Sequence, residues 1–233
     1  MSKRIVILAI VLVIYFLYRL RDMKYCQKQA SFVRGLVPGA YMIVFSLGTI
    51  LLNLNSAEGL QPPGIILRTI LYFIMVAITE EIIFRGIVSD TILRFMLKKK
   101  ENRPDESEDK KDSPSPYGTL ILSVILSGLF FGAAHAMNFN YSDPRGVLIQ
   151  MLGAFLMGMF LTGVYYRTGN LMTVIFLHAV NDLAAVFPYM ILRGNDTITN
   201  AISSYDAIDI LLLVPYLVAT IIILRKSKVK DIC

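Results

Sequence analysis

Glu80 and Glu81 with Arg85, then His135, then His178 with Asn181 and Asp182, are titratable or amide side chains set inside long apolar runs. The first group lies in VAITEEIIFRG, residues 76–86, after an apolar tract broken only by Arg68 and Thr69. In a helix Glu81 and Arg85 share a face, with the acid on the N-terminal side, the favourable order. Arg85 then neutralises and orients Glu81. Glu80 is turned about 100° away and is the carboxylate left to react. A second reading stays open, in which the three charges only form a buried ion cluster, or Arg85 snorkels to an interface. The two histidines are the only ones in the chain. His135 stands four residues after Phe131 in SGLFFGAAHAM, and His178 has Asn181 and Asp182 at i+3 and i+4 in FLHAVNDL. Carboxylates and imidazoles together are the inventory of general acid–base catalysis.

These groups need a scaffold, and composition says which kind. Of 233 residues, 55% are hydrophobic and 17% charged, with mean hydropathy +0.61. A soluble domain carries about a quarter charged residues. Cys26 and Cys233 are too few and too distant for a disulfide framework or a thiolate metal site. The net charge of +6 comes from Lys and Arg gathered at the ends of apolar runs, which is membrane topology and not a nucleic-acid surface.

The expected fold is therefore an all-α, polytopic transmembrane bundle in the cell membrane, a single domain over 1–233. About seven spans follow from hydropathy, roughly 5–20, 35–54, 65–88, 118–137, 146–166, 171–191 and 207–224. The first resembles a signal peptide, but Tyr18, Arg19 and Arg21 stand where a small-residue cleavage site belongs, so it reads as a retained anchor. Alternate loops are basic, which puts the N-terminus outside and the C-terminus inside. Residues 98–117, rich in charge, Ser and Pro, read as a flexible cytoplasmic loop. Gly128, Gly132, Ala133, Ala134 and Ala136 around His135 permit close helix approach, and Ala154, Gly158 and Thr162 form a second small-residue ladder.

At bilayer depth a charge costs about 2.5 kcal/mol or more, so such residues face a protein-lined cavity and have partners. Three motifs arise in order on separate helices: Glu80-Glu81-Ile82-Ile83-Phe84-Arg85, Phe131-Gly132-Ala133-Ala134-His135 and His178-Ala179-Val180-Asn181-Asp182. In these the chain resembles the CPBP (Abi) family of intramembrane endopeptidases, which includes CAAX-processing and bacteriocin-processing proteases. The resemblance covers about 65–190, the motif-bearing core. It implies hydrolysis of a peptide bond in a membrane-associated or prenylated precursor, with the bilayer and a peptide or protein substrate as partners. It further implies Glu80 as general base, His135 holding and polarising the water, and His178 with the residue four on, Asp182, stabilising the tetrahedral intermediate. An ionised Asp is a poor oxyanion partner, so Asp182 is expected to orient His178 while the Asn181 amide donates to the oxyanion.

Zinc offers a competing chemistry, with Glu80, His135 and His178 as ligands and Glu81 as base. The chain has no HExxH, and these ligands come from three helices. The reading without a cofactor is preferred, with Zn2+ as the alternative. A proton-coupled transporter or a non-catalytic scaffold would also keep Glu, Arg and His at membrane depth. A carrier predicts inverted repeats with broken helices, and the sequence contains no such duplication.

Depth poses one difficulty. At about 1.5 Å per residue, His178 lies about 10 Å beyond the turn at Gly169, and His135 about 25 Å along from Tyr117. For the motifs to meet, either the third and fourth helices extend well into the cytoplasm or the 167–170 loop is sunk into the membrane, and either choice places the cavity toward the cytoplasmic half.

Overall fold

The structure, a computed structural model, describes residues 2–20, 31–54, 59–101, 116–193 and 197–225. Among these the chain is helical almost throughout, with one isolated antiparallel bridge, Leu60 to Leu192. In order the helices are α1 (Ser2–Leu20), α2 (Phe32–Leu54), α3 (Pro63–Glu81), α4 (Asp90–Glu101), α5 (Pro116–Ala134), α6 (Pro144–Thr168), α7 (Leu171–Val186), α8 (Ile198–Ser203) and α9 (Ala207–Leu224). A π-helical segment, Ile82–Ser89, joins α3 to α4 without a break, and a 3₁₀ turn, His135–Asn140, follows α5.

Local chemistry sets the boundaries. Asp143 accepts from the backbone N–H of Arg145 and Gly146 to start α6, Pro144 fits its first turn, and Gly169 in the left-handed conformation (φ 61°) ends it. Asp206 and Asp209 form a reciprocal capping box at the start of α9.

Segments Phe32–Leu54, Tyr117–Asn140, Pro144–Thr168, Leu171–Ile191 and Ala207–Leu224 are long and apolar enough to cross a membrane. Two of the seven expected spans are not among these five. The apolar part of α1 is short, Arg4–Tyr18. The segment expected at 65–88 is continuous helix, but it contains Arg68, Glu80, Glu81 and Arg85, the charges that give it chemical interest and dilute its apolar character. At the expected 98–117 loop, helix extends through Glu101 and resumes at Pro116; residues 102–115 lie outside the described residues.

α1 lies parallel to the α3–α4 rod. The Arg4 guanidinium sits 5.4 Å over the Tyr72 ring, and at the other end the Tyr18 hydroxyl donates to Asp90 Oδ2 at 3.0 Å. Between them the Tyr15 ring covers Gly86 so closely that a Cβ there would stand 2.8 Å from it. Phe131, Phe160, Leu161, Val164 and Leu177 of α5, α6 and α7 belong to one buried core.

Thr168 and Asn170 are buried, so the α6–α7 turn lies inside the protein. Its polar groups are satisfied locally: Thr168 donates to Val164 O, and Asn170 accepts from the Thr173 N–H. Tyr166 donates to Ser89 O at 2.8 Å, which sets the end of α6 level with the start of α4. α4 then continues for 12 residues beyond Ser89.

α5 and α6 pack through glycine. A Cβ at Gly128 would lie 2.8 Å from the Phe155 carbonyl oxygen and 2.7 Å from Met159 Cγ. Gly128→Ala is expected to wedge the helices apart at a cost of about 1–3 kcal/mol. Thermal melting in detergent reads this directly, and an unchanged melting temperature would mean that the contact tolerates a methyl group.

Candidate active site

The centre of the site is a buried ion pair. Arg85 and Glu81 are both 0% exposed, and Arg85 Nη1 donates to Glu81 Oε1 at 2.7 Å. The other fork of the guanidinium reaches across to α6 and donates to the Gly158 carbonyl at 3.2 Å. Gly158 offers that carbonyl at a helix crossing where a Cβ would stand 3.0 Å from Gly128 Cα. Arg85 Cζ also lies 4.5 Å from the centre of the Phe131 ring, a cation–π contact away from water.

α7 adds His178. Its Nδ1 donates to the same Glu81 oxygen at 2.7 Å, so Oε1 accepts from both an arginine and a histidine. Its Nε2 faces Asp182 Oδ2 at 3.3 Å, one turn further along α7, and Glu80 Oε2 at 3.9 Å. Glu80 and Asp182 are 27% and 19% exposed, whereas Glu81 is sealed. The two adjacent glutamates therefore have different surroundings, one fixed by two donors and one accessible to water.

His135 approaches from the end of α5. Its Nδ1 lies 3.0 Å from the Phe131 carbonyl, which can only accept, so Nδ1 carries the hydrogen and the Nε2 lone pair is left for a water. His135 is half-buried and within electrostatic reach of Glu80.

The structure thus brings Glu80, Glu81, Arg85, His135, His178 and Asp182 together. Asn181 is placed otherwise, which corrects the expectation that its amide donates to an oxyanion. Its Nδ2 donates to Met157 Sδ at 3.3 Å, and its Oδ1 accepts from the Tyr216 hydroxyl at 2.6 Å. Those partners lie on α6 and α9, so the carboxamide is turned away from Glu80 toward the helix interface.

The sequence reading did not find Tyr216, the Gly158 carbonyl or the ring contacts of Phe131. None carries a charge, and only the fold places them.

Among the described residues, no group of three or more His, Cys, Asp or Glu side chains is arranged to hold a metal ion. A water-accessible carboxylate with an imidazole 3.9 Å away and a buried cation behind it is a set of groups that can activate water. A family model described as "Type II CAAX prenyl endopeptidase Rce1-like" matches residues 62–184, from the first turn of α3 into α7, which includes all three motifs. No curated protein and no solved structure matches the chain.

Proposed function

We propose, from the premise that the chain belongs to the Rce1-like family of type II CAAX prenyl endopeptidases, that this protease cuts a peptide bond of a membrane-associated or prenylated precursor with water activated by Glu80. The observation that carries the reading is the inequality of the two glutamates. Glu81 is sealed against Arg85 and His178, while Glu80 keeps a water-accessible carboxylate 3.9 Å from His178 Nε2. The carrier and scaffold readings give way to the family.

In the proposed step, a Glu80 oxygen takes a proton from a water held at His135 Nε2, and the hydroxide adds to the scissile carbonyl carbon. The oxyanion faces the His178 Nε2–H, while Asp182 holds that ring from one turn away. Collapse breaks the C–N bond, and Glu80 returns its proton to the leaving amine. Asn181 takes no part in this step, because its amide is engaged by Met157 and Tyr216.

The proposed setting is the cell membrane, with about seven spans. The five long apolar helices, α1 and the charged Pro63–Ser89 segment supply them, with the N-terminus outside by the basic-loop rule.

Metal-free chemistry is the preferred mechanism, since both ring nitrogens of His178 already face carboxylate oxygens. Purified protein stripped with a strong chelator is expected to go on cleaving an internally quenched peptide that ends in a farnesyl-cysteine CAAX sequence. Elemental analysis is expected to find less than one zinc per chain. The opposite result is equally readable. Stoichiometric zinc that disappears in His178→Ala together with activity would assign Glu80, His135 and His178 as ligands. The protease assignment would stand, and the metal-free mechanism would not.

A further inference from the structure

The Phe131 ring, which carries no charge, touches three groups of the site: both histidines and Arg85. It is 0% exposed and makes edge-on contacts with His135 and His178, at centroid distances of 5.3 and 5.7 Å. Phe84 packs against it at 4.9 Å, and the Arg85 guanidinium lies 4.5 Å from its centre. Its backbone oxygen fixes the His135 ring through Nδ1. Of the groups the ring touches, Arg85 and His178 are sealed together with Glu81, whereas His135 is half-buried.

We propose that Phe131 is a positioning residue, whose ring holds the two histidines in register and separates the buried Glu81–Arg85 pair from the water that Glu80 activates. An aliphatic side chain of similar size would keep the core filled. It has no ring face for the guanidinium and no flat edges against which two imidazoles can settle. With the partition loosened, the imidazoles sample more than one orientation, and water reaches the carboxylate that is meant to stay dry. The proposal rests on the hydrolytic reading above for its kinetic consequence, but its structural consequence is independent of any substrate.

The chain's two histidines make the test direct. Full-length protein labelled with ¹⁵N-histidine in detergent micelles is expected to give a single set of ring signals for each, assigned with His135→Asn. In Phe131→Leu both sets should broaden or split. Phe73→Leu serves as the control; Phe73 is buried in α3, and its ring packs on Tyr72. It should leave both histidine sets sharp. If Phe131→Leu fails to accumulate, Phe131→Met substitutes a flexible apolar filler. On the farnesylated peptide, Phe131→Leu should lower kcat by about 10²-fold, as small misplacements of catalytic groups do, with KM within about twofold. Phe73→Leu should change neither. Single sharp histidine signals in the Phe131 variant, or a kcat loss no greater than that of Phe73→Leu, would overturn the proposal. A fully active Glu80→Gln would instead remove the mechanism while leaving the histidine signals to decide the role of Phe131.

Discussion

Glu80→Gln is expected to lower the rate of peptide cleavage by about 10²–10⁴, the range for loss of a general base, while the protein accumulates and melts like wild type. That loss corresponds to about 2.7–5.5 kcal/mol of transition-state stabilisation. The fold should be indifferent because the Glu80 carboxylate is partly exposed and His178 Nε2 stands 3.9 Å from it, beyond hydrogen-bond distance. Glutamine keeps the shape and loses only the ability to take a proton. The same change at Glu81 should behave differently, since that carboxylate binds Arg85 and His178 at 2.7 Å with no exposure to water. Comparing membranes that contain wild type and Glu80→Gln by peptide mass spectrometry would also identify the substrate, as uncut precursors collect in the variant. Normal turnover in purified Glu80→Gln would eliminate Glu80 as the base.

Arg85→Ala is expected to cost about 3–5 kcal/mol of stability, because it leaves the Glu81 carboxylate buried without its cation. Against a total of about 5–15 kcal/mol for a folded domain, that loss should reduce the amount of protein in the membrane and lower its melting temperature in detergent. Arg85→Lys should recover only part of the loss. A lysine has one compact ammonium, whereas the guanidinium bonds Glu81 with one fork and the Gly158 carbonyl with the other. Replacing both partners, as in Glu81→Leu with Arg85→Met, removes the unpaired charge and should restore folding more than activity, since His178 then loses its Glu81 contact. Wild-type levels and melting for Arg85→Ala alone would show that the pair does not carry the fold.

Much of this site was legible from residue types and spacing. The i, i+4 rule paired Glu81 with Arg85 and left Glu80 outward, and the structure has that geometry. The same rule linked His178 with Asp182, now at 3.3 Å. Asn181 was misread because its direction depends on partners distant in the chain. A thioether on α6 and a phenol on α9 draw the amide to the side, and neither is visible from the local sequence. The helical character of 65–88 was clear from its apolar pattern, but its π-helical stretch was not, since Ile82–Ser89 is as apolar as the α3 helix it continues. Burial of the α6–α7 turn was left undecided for a similar reason. Gly169 and Asn170 mark a turn wherever it lies, and only a helix distant in sequence, α2, whose Phe32 and Gly35 meet Thr173 just after the turn, encloses it.

That π-helical stretch has an evolutionary consequence. A π-turn accommodates more residues per revolution than an α-turn, and such turns are found in helices mostly at functional positions. Removing one residue from an ordinary helix rotates everything downstream by about 100° relative to what precedes it. Between Arg85 and Asp90 the chain has slack to absorb such a deletion, because the i→i+4 ladder can resume with one residue fewer. Losing Val88 would then preserve the Glu81-to-Arg85 interval and turn Asp90 less far from Tyr18 than an equal deletion within α3 would. Related chains should accordingly vary in length after this arginine far more readily than between the arginine and the glutamates before it.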